Sequence, residues 1–299
     1  MTLEQLRIFI AVAEREHMTL AAQALKLTQS GVSAAISALE VRCATPLFDR
    51  VGRQIRLTEA GRIFLGEARA VLARVDAAEQ ALAEVDSLNR GTLQIQASKT
   101  IATYWLPQRL AKFRKVYPQI RIQLAIDNTA NVTQAILDGL AEVGFVEGAV
   151  NEPLLRQHIV GADELIVVVS SKHPWAKRKK LPAQDLLQLE WVLREQGSGT
   201  RSVFEAALDN FGLSQNALDV VMELPSNEAI RATVEAGVGA TAISQSVAKA
   251  GLLAGKLVRL PIKLPRRSYS ILCHRERYRT KMARALLELI NNGGGKCDD

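Results

Sequence analysis

The twenty residues from Leu20 to Leu39 constrain this chain more than any other stretch. Two short helical patterns flank a tight break at Lys26-Leu27-Thr28. The first places Leu20, Ala21, Ala24 and Leu25 on one face, and the small Ala24 suits a close helix crossing. The second places Val32, Ile36 and Leu39 on one face, at helical offsets of four and three. Thr28 is a good N-cap for it, because a hydroxyl can accept an otherwise unpaired amide of the first turn. Gln29, Ser30, Ser33 and Ser37 then point away from the apolar stripe. A short helix with a small, polar outer face is what a helix-turn-helix presents to a DNA major groove, and this segment alone also fits an ordinary helical hairpin whose polar face is solvated.

The flanking segments extend this reading. Leu3, Leu6, Phe9, Ile10 and Ala13 mark an amphipathic first helix. Val51 to Thr58 carries a glycine and alternating arginines, the pattern of a hairpin wing in which Arg50, Arg53 and Arg56 reach phosphates or a minor groove. Thr58-Glu59-Ala60-Gly61 opens a long helix. Along it Phe64, Ala68, Val71, Val75, Ala78, Leu82 and Val85 recur at alternating steps of four and three, with charged neighbours. That is the seam of a coiled coil or the inner face of a single helix packed on its own domain. A regular seam of this length favours pairing with another chain, which sets two recognition helices on one face of a partly palindromic double-stranded DNA site.

The order of these pieces resembles the LysR family of bacterial transcriptional regulators. The resemblance is carried by Leu6-Arg7-Ile8-Phe9, Ala21-Ala22-Gln23-Ala24-Leu25, Thr28-Gln29-Ser30, Val32-Ser33, Ile36, Leu39-Glu40, Pro46-Leu47-Phe48-Asp49-Arg50 and Leu57-Thr58-Glu59-Ala60-Gly61. It implies a winged helix-turn-helix domain over 1–58 and a dimerising linker helix over 59–89. It also implies a two-lobed α/β effector domain like the periplasmic binding proteins, and assembly from a homodimer to a homotetramer. RNA polymerase is an implied partner. Two departures stand out: Gly31 replaces the family's usual Pro, and no Lys or Arg lies between Gln29 and Leu39. Direct readout then rests on Gln29, Ser30, Ser33 and apolar contact from Ala34, with the wing arginines supplying more of the electrostatic grip.

Beyond Gly91 the pattern alternates between strands and helices, as in a largely parallel α/β architecture. Strand signals lie at Leu93–Ala97, Ile120–Ile126, Val143–Val146, Leu165–Val169, Trp191–Leu193, Val220–Leu224, Ala240–Ile243 and Tyr269–Cys273. A break at Gly161-Ala162-Asp163 and the Leu260–Pro265 stretch are candidate crossings. They divide the module into lobe I (90–161 and 265–299) and lobe II (162–264). Four junctions rich in small hydroxyl or amide residues fall at expected carboxyl ends of strands, where ligands bind in open sheets. They supply Ser98, Lys99, Thr100, Thr129, Gly197, Ser198, Gly199, Thr200 and Ser226 as candidate effector contacts. Converging helix N-termini favour a small anion. Ser and Thr at helix starts are also routine caps, and Lys99 either adds charge or points outward. Within the family, Ala97-Ser98-Lys99-Thr100-Ile101 with Tyr104-Trp105-Leu106-Pro107 looks most like regulators of sulfur assimilation and carbon fixation. That resemblance implies sulfite, sulfate or a phosphorylated or carboxylated metabolite.

Charge and composition bound the alternatives. The chain of 299 residues carries a net charge of +7. Residues 1–58 hold seven Lys and Arg against five Asp and Glu, so most of the excess lies elsewhere. One cluster is Lys177 to Lys180; Arg266, Arg267, Arg275, Arg277 and Arg279 form another. Such clusters are ordinarily solvated surface, the other readings being contact with bent DNA or a raised potential around an anion site. No apolar run is long enough to span a membrane and no signal peptide is visible, so a cytoplasmic protein is expected. Cys43, Cys273 and Cys297 are too dispersed for a metal site, and the four histidines lack partners at triad or ligand spacing. Neither an enzyme nor a bound cofactor is expected.

Overall fold

The computed structural model describes residues 1–51, 54–83 and 91–292. The chain forms two compact units, Met1–Ser87 with Leu137–Leu140, and Leu88–Ile136 with Ala141–Asp299.

The first unit begins with α1 (Leu3–Arg15), α2 (Met18–Leu25) and α3 (Gln29–Cys43). A capping box at Thr2 and Gln5 starts α1, and all three helices stop at non-glycine residues in the left-handed region: Glu16, Lys26 and Ala44. Their core is built on Phe9, Val12, Ala21, Val32 and Leu39, each fully buried. The close crossing of α2 is made by Ala21 and Ala22 rather than by Leu20 and Ala24, which are exposed. The helix therefore sits rotated from the face read in the sequence. Strands β1 (Phe48–Val51) and β2 (Gln54–Leu57) pair antiparallel as a hairpin. Glu40 accepts the amides of Leu47 and Phe48 at 2.8 and 3.1 Å, tying this hairpin to α3. Helix α4 (Glu59–Ala83) is capped by Thr58, whose hydroxyl accepts from Gly61 N–H at 2.9 Å and donates to the Pro46 carbonyl. A Cβ at Gly61 would lie 2.1 Å from the Leu47 carbonyl oxygen, so only glycine fits there.

The second unit runs β3 (Gly91–Ser98), α5 (Lys99–Tyr104), α6 (Leu106–Val116), β4 (Ile120–Asp127), α7 (Thr129–Asp138) and β5 (Val143–Glu147). The long β6 (Leu155–Ser170) follows, then β7 (Glu190–Arg194), α8 (Gly199–Asn210), β8 (Asp219–Leu224), α9 (Asn227–Glu235), β9 (Ala240–Ser244), α10 (Gln245–Leu253) and β10 (Leu257–Arg259). The unit ends with β11 (Arg266–His274) and α11 (Lys281–Asn292). Its sheet order is β4-β3-β5-β11-β6-β9-β7-β8, with β10 beside β6.

This sheet is mixed rather than largely parallel. Pairs within each lobe, β3 with β4 and β5, and β7 with β8 and β9, are parallel. The crossing strands β6 and β11 run antiparallel to each other, and also to β9 and β5 respectively. The expected break at Gly161-Ala162-Asp163 lies inside the continuous β6, opposite a register shift between Tyr269 and Ser270. A bulge, not a chain break, turns the strand from one lobe into the next. One apolar core gathers Leu93, Phe113, Phe145, Ile271 and Leu286; others, across the crossing, gather Leu165, Trp191 and Phe204, and Ile166, Ile230 and Ile243. The last strand and helix thus return to the first lobe.

Candidate functional site

In the first unit, α3 presents the polar face read in the sequence. Its apolar side is spent on the core, and Gln29, Ser30, Ala34 and Ser37 are left exposed, with Ser33 half-buried. Thr28 accepts from Gly31 N–H at 3.1 Å, and Ser30 donates to Thr28 at 3.2 Å. That cap uses an N–H that a proline at position 31 would lack. Arg56 is exposed on β2, in register with Asp49. Arg53 and Val85 lie outside the described residues, and Arg50 is placed by its backbone on β1.

The seam of α4 divides in two. Phe64 meets Phe9 edge-on at 4.8 Å and Ala68 is fully buried, so both complete the core of their own unit. Val71, Ala78 and Leu82 are exposed, Leu82 by 74%, and Val75 is half-buried. These four share one stripe further along the helix.

In the second unit, eight of the nine candidate effector residues converge between the two lobes. Ser98, Thr100, Ser198 and Thr200 are each at most 1% exposed. Ser98 and Ser198 stand at helix starts, yet neither hydroxyl caps its helix. Ser98 donates to Glu147, while Ser198 Oγ is buried with no partner among the described residues. Thr129 donates to the Glu147 carbonyl at 3.4 Å, and Gly197 accepts from Ala130 N–H at 3.0 Å with φ +83°. A Cβ at Gly199 would lie 2.4 Å from the Glu147 carbonyl oxygen, so glycine allows α8 to approach β5. Lys99 does not point outward: its ammonium donates to the Pro225 carbonyl at 2.5 Å and pairs with Glu195 at 3.3 Å. Ser226 stands apart as an ordinary cap of α9, accepting from Ala229 N–H at 3.2 Å.

Of the ions at the centre of this cleft, Lys99 is a candidate from the sequence and Arg267 belongs to a basic cluster noted there; Arg194, Glu147, Asp163 and Glu195 were not singled out as site residues. Arg267 is fully buried, donating to Asp163 at 2.8 and 3.0 Å and to Thr200 at 2.8 Å, with Glu147 at 3.6 Å. Burial opposes its charge, but Glu147 and Asp163 outweigh that and hold the guanidinium charged. Arg194 donates to Asn227 at 2.7 Å, and Asn227 donates to Thr100 at 3.0 Å. Arg267, read as part of a solvated cluster, shares β11's inward phase with Tyr269, Ile271 and Cys273, and that alternation was its available signal. Burial works against ionisation of Glu195, but hydrogen bonds and charge from Arg194, its own amide and Lys99 prevail, holding it at about 2. Three cations and three carboxylates therefore occupy a cleft lined by hydroxyls.

Among the described residues no His, Cys, Asp or Glu cluster suits a metal, and no helix is long and apolar enough to cross a membrane.

The model of the LysR substrate binding domain matches residues 86–294, and that of the bacterial regulatory helix-turn-helix protein, lysR family, matches residues 3–62. The chain is 36% identical over 296 residues, 96% of each chain, to the uncharacterized HTH-type transcriptional regulator YeiE of Escherichia coli (strain K12). It is 37% identical over 246 residues, 81% of each chain, to a probable RuBisCO transcriptional regulator of Cyanidioschyzon merolae (strain NIES-3377 / 10D). The regulatory domain of Synechocystis PCC6803 CcmR, solved in complex with 2-PG, aligns with a TM-score of 0.63 at 22% identity, covering 69% of this chain and 98% of that one. The similarity to a RuBisCO regulator agrees with the carbon-fixation resemblance read from Ala97 to Ile101 with Tyr104 to Pro107. This chain belongs to the LysR family: it is a ligand-responsive, DNA-binding transcriptional regulator and not an enzyme.

Proposed function

We propose that the regulator senses a small anionic metabolite in the cleft between the lobes, which divide near residues 161 and 265. The observation that carries this reading is the set of four buried hydroxyls in the buried ion network, with Thr200 accepting from Arg267, Ser98 donating to Glu147, and Ser198 Oγ having no partner among the described residues. An unpaired buried hydroxyl costs about 1–3 kcal/mol, which a ligand oxygen would recover. The ligand of CcmR and the RuBisCO regulators among the relatives favour a phosphorylated or carboxylated carbon acid, with sulfite and sulfate as the other class. Glu147 now holds the Ser98 hydroxyl and faces Arg267, so an entering anion has to take over both.

Thr28, Gln29, Ser30, Ser33, Ala34 and Ser37 would face the major groove, with Arg50, Arg53 and Arg56 on the backbone or minor groove. Val71, Val75, Ala78 and Leu82, with Val85, would pair two chains, and homotetramer assembly, contact with RNA polymerase and cytoplasmic location follow the family pattern. Thermal-shift and calorimetric titration of the full chain with 2-phosphoglycolate, sulfite and sulfate tests the sensing role. A saturable rise in stability that disappears in Thr200→Ala supports it; no response to any of the three removes the anion reading.

A further inference from the structure

A second cavity lies on β6 and β11, away from the cleft. The registered pairs Arg156 with Cys273 and His158 with Ile271 set four side chains on one face of the sheet. Leu287 and Asn291, one turn apart on α11, close over that face together with Arg279 from the preceding loop. They enclose about 310 Å³, near the lower end of small-molecule pockets. Cys273 lies six positions along β11 from Arg267, roughly 20 Å of strand, so the two sites are distinct.

Among the described residues the lining has two guanidinium groups, an imidazole and an amide, and no carboxylate. Glu142, the nearby acid, accepts the Thr280 amide at 3.0 Å. His158 Nε2 is shielded from solvent and has no hydrogen-bond partner among the described residues. The remaining walls are apolar: Ile271, Leu287 and the Cys273 thiol. Burial, opposed by Arg279, pushes that thiol up to about 11, so it stays neutral and lines the cavity rather than reacting.

We propose that this cavity is a second ligand site for a small organic carboxylate. Its anionic end lies between Arg156 and Arg279 with His158, and its hydrocarbon part rests on Ile271 and Leu287. The two halves of the lining require both features: a paired guanidinium seat for an oxyanion, and an apolar floor that a bare inorganic ion would leave wet.

Calorimetric titration of the full chain with hexanoate, with acetate and inorganic phosphate as comparison probes, tests this. Hexanoate should bind saturably and more tightly than acetate. The double variant Arg156→Gln/Arg279→Gln should weaken it by about tenfold or more. Leu287→Trp, which fills the cavity without altering charge, should abolish binding; Asn291→Trp at the exposed helix end serves if that variant does not fold. Circular dichroism verifies folding. No saturable hexanoate binding overturns the proposal. So does an isotherm that survives the tryptophan variants, or one that survives the double arginine variant and is lost in Thr200→Ala, which would place the acid in the cleft.

Discussion

Glu147 decides how the cleft treats an anion. It is 2% exposed, takes the Ser98 hydroxyl and shares Arg267 with Asp163. A buried charge that loses one of two counter-ions is destabilised, and a buried carboxylate repels an incoming anion. Glu147→Gln should therefore bind anions about tenfold more tightly while the empty protein melts earlier, as titration calorimetry and thermal melts would read. Unchanged affinity would mean the anion does not settle beside this residue. Glu195 gives an independent pH signature. Its carboxyl, ordinarily near 4.5, is held at about 2 while it links Arg194, Lys99 and Asn128. A carboxyl lowered in the folded state stabilises the fold above its unfolded value, and that contribution drains as pH falls through the folded one. Denaturant stability should thus show a component lost between about pH 4.5 and about pH 2 that is missing in Glu195→Gln. An identical acid profile in both proteins would remove Glu195 as its source.

Along α4, two halves of one heptad seam do different work. Phe64 stacks edge-on with Phe9, whereas Leu82 is exposed. Phe64→Ala should lower the stability of the N-terminal unit by about 2–3 kcal/mol through lost packing. Leu82→Asp should leave the melt unchanged but shift the chain towards monomer in sedimentation velocity. A Leu82→Asp protein that remains fully associated would place dimerisation elsewhere. The elements that were legible in the sequence are those whose side chains repeat with the backbone period: α1, α3 and α4, the hairpin, and strands such as Trp191–Leu193. The rest depended on neighbours distant in the chain. Gly161 marks a bulge because β11 supplies the partner strand a hundred residues later, and α2 turns its Ala22 inward because α1 and α3 meet it there. The cleft hydroxyls showed themselves as strand-end clusters. Arg267 and Glu147 did not, since a charge in a basic run, or after Val146, reads as solvent-exposed until the two lobes are paired around it.

At the scale of the whole molecule, sensing and DNA binding have to share one free energy. The recognition helix has no Lys or Arg between Gln29 and Leu39, so backbone attraction rests on few cations, including the exposed Arg56. Removing one phosphate contact should lower the salt slope of DNA binding by about one unit, which Arg56→Ala tests by fluorescence anisotropy across a salt series on the chain's own upstream DNA. An effector acts on such a grip only if it binds the DNA-competent state with a different affinity. Linkage then makes the effect reciprocal: the factor by which a saturating anion changes the Kd for DNA must equal the factor by which saturating DNA changes the Kd for that anion. Coupling of 1–3 kcal/mol is typical, so the expected factor is about 5–150 in either direction. Thr200→Ala should bring both factors towards one together, because it removes one of the partners of Arg267 in the cleft and touches none of the residues proposed to face DNA. If anion binding persisted with no effect on DNA affinity in the unaltered protein, the cleft would be a binding site without a regulatory output. If the two factors differed in the unaltered protein, anion and DNA would not be acting on a single equilibrium between the same states.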